Sequence, residues 1–122
     1  MKLPTINITG CGRKACSQIE ALLDSGCSLT MVSKERASQM GAILLDESTQ
    51  IVGVTGHTFP AELGVVALTV GGQTKLTLVG IADKKNMAGH EAIVGSDIMR
   101  DNCCVISFSD DLGGAIGVSC KC

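Results

Sequence analysis

The glycine pair Gly71-Gly72 stands between two β-prone runs, Gly64 to Val70 and Thr74 to Ala82. A two-residue connection with positive φ at both positions closes a tight hairpin, because its twist matches that of the flanking strands. A chain that commits its middle to such a hairpin must bury one sheet face against further sheet, and the rest of the sequence supplies it. Thr and Asn alternate with Ile between Pro4 and Ile8, a second such stretch runs from Ser17 to Asp24, and Gly10-Cys11-Gly12 lies between them. That pattern predicts a second hairpin. Strand signals dominate from Ile43 onward, and Cys104 to Phe108 has the β-branched and aromatic character of a last strand. Helix signals are short: Ser33 and Gly41 bracket Lys34 to Met40 as N-cap and C-cap, and Ser96 is placed to cap a second helix through Arg100. The expectation is an all-β domain with one or two short helices.

With 122 residues and 45% hydrophobic composition the chain has material for one core. The domain is expected to occupy residues 1–108. From Ser109 to Cys122 two acids and three glycines interrupt a few aliphatics, which reads as a flexible tail. A net charge of -2 lacks the basic excess that phosphate neutralisation requires, so nucleic acid is not an expected partner. No apolar run approaches the roughly 18 residues of a membrane span, and Met1-Lys2-Leu3-Pro4 opens no signal-type stretch. A non-secreted, intracellular chain with no membrane partner is expected. Seven cysteines, an odd number, fit a reducing compartment. Cys11 and Cys16, Cys103-Cys104, and Cys120 with Cys122 invite a zinc reading, but none has paired C-x-x-C spacing, so no metal is expected. Cys27, Cys103 and Cys104 read instead as small buried hydrophobes, and the tail cysteines as exposed.

Three segments carry chemistry. In Ala21-Leu22-Leu23-Asp24-Ser25-Gly26-Cys27-Ser28 an apolar strand ends in a carboxylate, a hydroxyl and a glycine. A carboxylate in an apolar setting needs hydrogen bonds or a shared proton. Asp, Ser and Gly are also ordinary turn residues, so the triplet alone is weak. Ala92-Ile93-Val94-Gly95-Ser96-Asp97 is a second apolar strand running into glycine and a helix start. Ile51-Val52-Gly53-Val54-Thr55-Gly56-His57-Thr58-Phe59 is a β-prone run with glycines near its tip, as a mobile hairpin requires.

In this order and spacing the three segments resemble retropepsins, the aspartic proteases of retroviruses and LTR retrotransposons, over residues 3–108. The resemblance implies a closed β-barrel acid-protease monomer that acts as a homodimer. Leu22 to Gly26 is similar to the catalytic loop, with Asp24 catalytic and Ser25 and Gly26 in support. Gly53, Val54, Thr55, Gly56 and His57 match the flap, and Ile93 to Asp97 matches the apolar-apolar-glycine motif before the C-terminal helix. Leu22, Cys27, Ser28, Leu29, Met31 and Ile93, with Val54 of the flap, are then candidates for the substrate-binding walls; most of them also read as ordinary core residues. Ser25 stands where retroviral enzymes usually carry threonine, and Ser28-Leu29 lacks the paired acids of some viral proteases.

The triplet Asp-Ser-Gly occurs once in the chain. Two-carboxylate chemistry therefore requires two chains about a twofold axis, each giving Asp24 to one site, with no cofactor. The implied function is an aspartic endopeptidase of a retroelement cleaving a polyprotein, in cytoplasm or a virus-like particle. A cellular or domesticated relative is the alternative within the fold, and a catalytically silent dimerisation or binding module is the alternative outside enzymes. His57 reads as a solvent-exposed turn residue and His90 as a loop residue. Neither offers a base to Ser25 or Cys27, so serine or cysteine peptidase chemistry lacks its base.

Overall fold

The computed structural model describes residues 4–53, 56–101, 104–109 and 114–120. In chain order the elements are β1 Thr5–Cys11, β2 Cys16–Leu23, β3 Met31–Ser33, α1 Lys34–Met40, β4 Ile43–Val52, β5 Thr58–Val70 and β6 Gln73–Ala82. A 3₁₀ turn Lys84–Met87 follows, then β7 Ala92–Val94, α2 Ser96–Asp101, β8 Cys104–Ser109 and β9 Gly114–Cys120.

Six strands close on themselves. β1 pairs antiparallel with β2 and with the far end of β5. β2 runs parallel to β7, β7 antiparallel to β3, β3 parallel to β6, and β6 antiparallel to β5. The ring β1-β2-β7-β3-β6-β5 is thus a barrel, and closure removes the unpaired strand edges that an open sheet would expose. β4 lies outside the ring, paired along the first half of β5.

The short strands β3 and β7 are buried at every residue, as strands covered on both faces must be. Successive residues therefore serve two clusters. Leu23, Val32, Val79, Ile81, Ala92 and Val94 enter the main core, together with Ile8, Ile19, Leu68 and Met40. Their neighbours Leu22, Met31, Ala82 and Ile93 point the other way, into a second cluster completed by Cys27, Phe59, Ala61 and Met87. β5 changes allegiance along its length: Phe59 and Ala61 belong to the second cluster, whereas Val66, Leu68 and Val70 belong to the first. The change of phase falls at Gly64, where a Cβ would come within 2.9 Å of Ile81 Cδ1 and 3.1 Å of the Ile43 carbonyl oxygen. Opposite it, β4 is irregular between Leu44 and Ser48, and Asp46 has a φ of 60°. The bulge lets the hairpin leave the barrel.

The predicted hairpins form. Gly71 and Gly72 turn with φ of 59° and 83°, and β1 is joined to β2 by residues 12–15. That turn donates the Arg13 N–H to the Gly41 carbonyl (2.9 Å) and the Lys14 N–H to the Met40 carbonyl (2.9 Å). It thereby satisfies carbonyls at the end of α1 that have no partner within the helix. Ser33 caps α1 as expected, its hydroxyl accepting from the Arg36 N–H at 3.2 Å. Gly41 ends the helix in the left-handed region, φ 74°.

Two readings are corrected, and one pairing that the sequence left open is supplied. Ser96 is the first residue of α2 rather than its cap: the Met99 N–H donates to the Gly95 carbonyl (3.1 Å), so the first turn closes on Gly95. Cys11 and Cys16 are directly opposed at the end of the first hairpin and form a disulfide, with a Cα separation of 4.1 Å, so they are neither free thiols nor a ligand pair. Residues 114–120, read as part of an irregular tail, form β9 antiparallel to β8. Cys27 is buried as expected. The packing expected of Cys103 and Cys104 and the exposure expected of the tail cysteines lie outside what the structure describes.

Candidate active site

Asp24 follows the last residue of β2, and the parallel neighbour β7 holds it there. Its N–H donates to the Val94 carbonyl at 3.0 Å, continuing the β2–β7 pairing by one residue. The chain then turns: the Cys27 N–H donates to the Asp24 carbonyl (3.1 Å), and the Gly26 N–H donates to the Asp24 carboxylate Oδ1 (3.0 Å). A Cβ on residue 26 would sit 3.2 Å from that oxygen, tighter than an ordinary contact. The sequence preference for glycine beside the acid is thus a matter of room for the carboxylate. Asp24 is half-buried, while Ser25, Gly26 and Ser28 are exposed. The carboxylate is therefore neither fully exposed nor sealed off, and the residues on either side of the turn, Leu22 and Cys27, are buried.

The far side of the loop is fastened to the segment that opens α2. The Ser96 N–H donates to the Cys27 carbonyl at 2.8 Å. Thr30, wholly buried, donates its hydroxyl to Asp97 Oδ1 (2.8 Å), its N–H to Asp97 Oδ2 (3.1 Å), and accepts the Gly95 N–H on the same hydroxyl (3.1 Å). The Ile98 N–H also donates to Asp97 Oδ1 (2.8 Å). Gly95 has no alternative here, since a Cβ would lie 2.5 Å from the Cys27 carbonyl oxygen. The loop from Asp24 to Thr30 is therefore held at its start by Val94, in its middle by Ser96 and at its end by Asp97.

Four predicted wall residues, Leu22, Cys27, Met31 and Ile93, meet in the second cluster beneath this loop, with Leu29 packed against it. Each of the four is at most 8% exposed, so within one chain they are packing residues. Ser28 lies apart from them at the surface. Burial pushes the Cys27 thiol above its ordinary range, the nearby Asp24 and Asp97 carboxylates adding to the effect, and its Sγ donates to the Leu29 carbonyl at 3.0 Å. The thiol is thus neutral and sheltered, a poor nucleophile and a poor redox target.

The segment expected to be the flap lies at the end of the β4–β5 hairpin. Ile51 pairs with Phe59 and Val52 with Thr58, and beyond them the Gly53 N–H donates to the His57 carbonyl (2.8 Å) and the Gly56 N–H to the Gly53 carbonyl (3.0 Å). Val54 and Thr55, and with them the contact expected of Val54, lie outside the described residues. Phe59 anchors this hairpin in the same cluster as Leu22 and Ile93, and Ile51 packs against it. The end of the β4–β5 hairpin and the Asp24 loop therefore share one apolar floor. His57 is exposed and His90 partly so. Among the described residues no histidine hydrogen-bonds Ser25 or Cys27, and no three His, Cys, Asp or Glu side chains gather as a metal site.

Sequence reasoning missed Thr30 and the role of Asp97, and it missed Ala61, Ala82 and Met87 as parts of the floor. Asp97 carried a signal, an acid directly after an apolar-apolar-glycine strand end. Thr30 carried none, because its partners lie 65 and 67 residues away.

No protein-family model matches the sequence, and no curated protein matches it. Solved structures do. The EIAV protease complexed with the inhibitor HBY-793 superposes with a TM-score of 0.62 at 21% identity, covering 82% of this chain and 88% of that one. The retroviral protease-like domain of Ddi1 from Leishmania major gives 0.50 at 14% identity, covering 86% of this chain and 78% of the domain. Likeness at such identities is a statement about architecture, and the architecture is a closed six-stranded barrel with a projecting hairpin and two short helices: the chain has the retropepsin fold.

Proposed function

We propose that the chain is an aspartic endopeptidase of a retroelement, active as a homodimer in which two copies of Asp24 flank one water. The observation that carries this reading is the placement of Asp24. Its backbone is pinned to β7, one carboxylate oxygen is held by the Gly26 N–H, and the half-buried residue lies in sequence between Leu22 and Cys27, which both belong to the apolar cluster that holds Phe59. The chain carries one Asp-Ser-Gly triplet, and a second copy supplies the second catalytic carboxylate.

Two carboxylates a few Å apart cannot both ionise cheaply, so the pair holds one proton. The ionised member takes a proton from the water as it attacks the scissile carbonyl carbon, while the protonated member donates to the carbonyl oxygen. The proton then passes to the departing amine, and no covalent enzyme intermediate forms. Ser25, exposed beside Asp24, is suited to hydrogen-bond across the twofold axis. The flap closes over an extended peptide by backbone pairing and shuts out water. With Phe59 as the one aromatic residue in the floor, the pockets are aliphatic and sulfur-lined, which favours aliphatic substrate side chains.

The test is cleavage of a mixed peptide library between pH 4 and 7 by the wild type and by Asp24→Asn, with sedimentation of both. Cuts made by a dimeric wild type and lost in a dimeric Asp24→Asn support the peptidase. A folded wild-type dimer that cuts nothing overturns it in favour of a binding module. Retroelement origin predicts a reverse transcriptase in the parent open reading frame.

A further inference from the structure

One cavity of the described residues lies away from Asp24. A hollow of about 600 Å³ lies between α1, the turn of the β1–β2 hairpin and the base of the β4–β5 hairpin. Ala37, Ala61 and Ile81 form its floor, and Leu44, 56% exposed, forms part of its rim. Its volume falls in the range of sites that bind small ligands or side-chain clusters.

The charges around it are one-sided. Arg13, Lys14 and Lys34 line it against a single acid, Glu62. All three cations are exposed, and none makes an ion pair or side-chain hydrogen bond among the described residues, in contrast to Arg36 and Lys84, which both engage Glu91. They are also spaced. Lys34 opens α1, whereas Lys14 abuts its end, where a Cβ on Gly41 would meet Lys14 Cγ at 2.8 Å. Seven helical residues separate the two positive regions by roughly 10 Å.

An extended chain covers that distance in about four residues. The neighbouring edge of β4 does not invite an added strand, because the bulge between Leu44 and Ser48 breaks its ladder. The occupant must therefore dock by side chains. We propose that this hollow binds an extended peptide segment of about four residues, apolar in the middle and carrying a carboxylate side chain at each end. None of the residues named belongs to the Asp24 loop, although Ala61 also packs in the cluster beneath it, and peptide binding here is read out separately from cleavage.

The experiment is an amide NMR titration of the full chain carrying Asp24→Asn, so that no peptide is cut, with acetyl-Asp-Leu-Val-Glu-amide as probe. Shifts at Ala37, Ala42 and Leu44, at least tenfold weaker binding of the uncharged acetyl-Asn-Leu-Val-Gln-amide, and loss of binding in Lys14→Glu combined with Lys34→Glu are expected. Both lysines are exposed, and unchanged shifts elsewhere in that variant establish that it is folded. Absence of binding, equal binding of the uncharged peptide, binding retained in the double variant, or shifts confined to the flap and Asp24 loop each overturn the proposal. So does decanoate binding at this hollow where the acidic peptide does not, which would mark a site for small amphiphilic anions.

Discussion

Thr30 is a small residue with three duties: one hydroxyl serves Gly95 and Asp97 while its backbone N–H serves Asp97 again. Replacing it by valine keeps the shape and removes the hydroxyl, which leaves the Gly95 N–H without that acceptor and Asp97 without one donor. Thr30→Val is expected to cost about 1–3 kcal/mol, the usual penalty for stranding buried polar groups, measured as a lowered urea midpoint at unchanged m-value. A midpoint within error of wild type would mean that water replaces the hydroxyl and that the loop is held by Val94 and Ser96 alone. Asp24 was legible in the sequence because its signal is local: an apolar strand, an acid, then a glycine. The alternation of Leu22 and Leu23 between two clusters was likewise implicit in the period of a strand. Thr30 was not legible, since an isolated threonine after a loop is common and only the folded register brings Asp97 to it.

Glu91 ties elements together as Thr30 ties a loop. It precedes β7, and its carboxylate accepts from the Ser33 hydroxyl at the start of α1 (2.8 Å), from Arg36 within α1 (3.3 Å) and from Lys84 of the 3₁₀ turn (3.3 Å). The Ser33 hydrogen bond first, with the Lys84 and Arg36 interactions, holds the carboxyl below its ordinary value of 4.5. A depressed folded-state pKa stabilises the fold above the unfolded value, and that contribution fades as pH falls through the folded value. Glu91→Gln is therefore expected to lower stability by about 0.5–1 kcal/mol at pH 7 and by much less near pH 3. Urea midpoints of both proteins at the two pH values check this; a gap that does not shrink in acid would assign the effect to hydrogen-bond geometry rather than charge. Elements punctuated by strong local chemistry were legible, namely the Gly71-Gly72 turn and α1 between Ser33 and Gly41. β9 was not, because Gly114 to Ser119 is poor in strand formers and forms its ladder only against β8. The Cys11–Cys16 pairing escaped for a related reason, as it depends on the register of a hairpin whose turn residues gave no unique length.

At the scale of the whole molecule the barrel is complete but the proposed site is half a site, because one chain contributes one Asp24. That has a consequence no single-site enzyme shares. If wild type and Asp24→Asn chains associate freely and equally well, equal amounts give a statistical mixture in which about one quarter of dimers carry two intact carboxylates. Mixed dimers hold one ionisable group and one amide and cannot divide the roles of base and acid between them. Adding an equal amount of Asp24→Asn to a fixed amount of wild type, followed by re-equilibration at concentrations where both are dimeric, should therefore halve the peptide cleavage rate although no active chain has been removed. Further additions should lower it in proportion to the fraction of wild-type chains. A rate that stays constant would mean that each chain works alone or that the dimers do not exchange. Separation of the two by a tagged variant and co-purification decides between them, since constant activity with demonstrated exchange is incompatible with a site shared across the twofold axis.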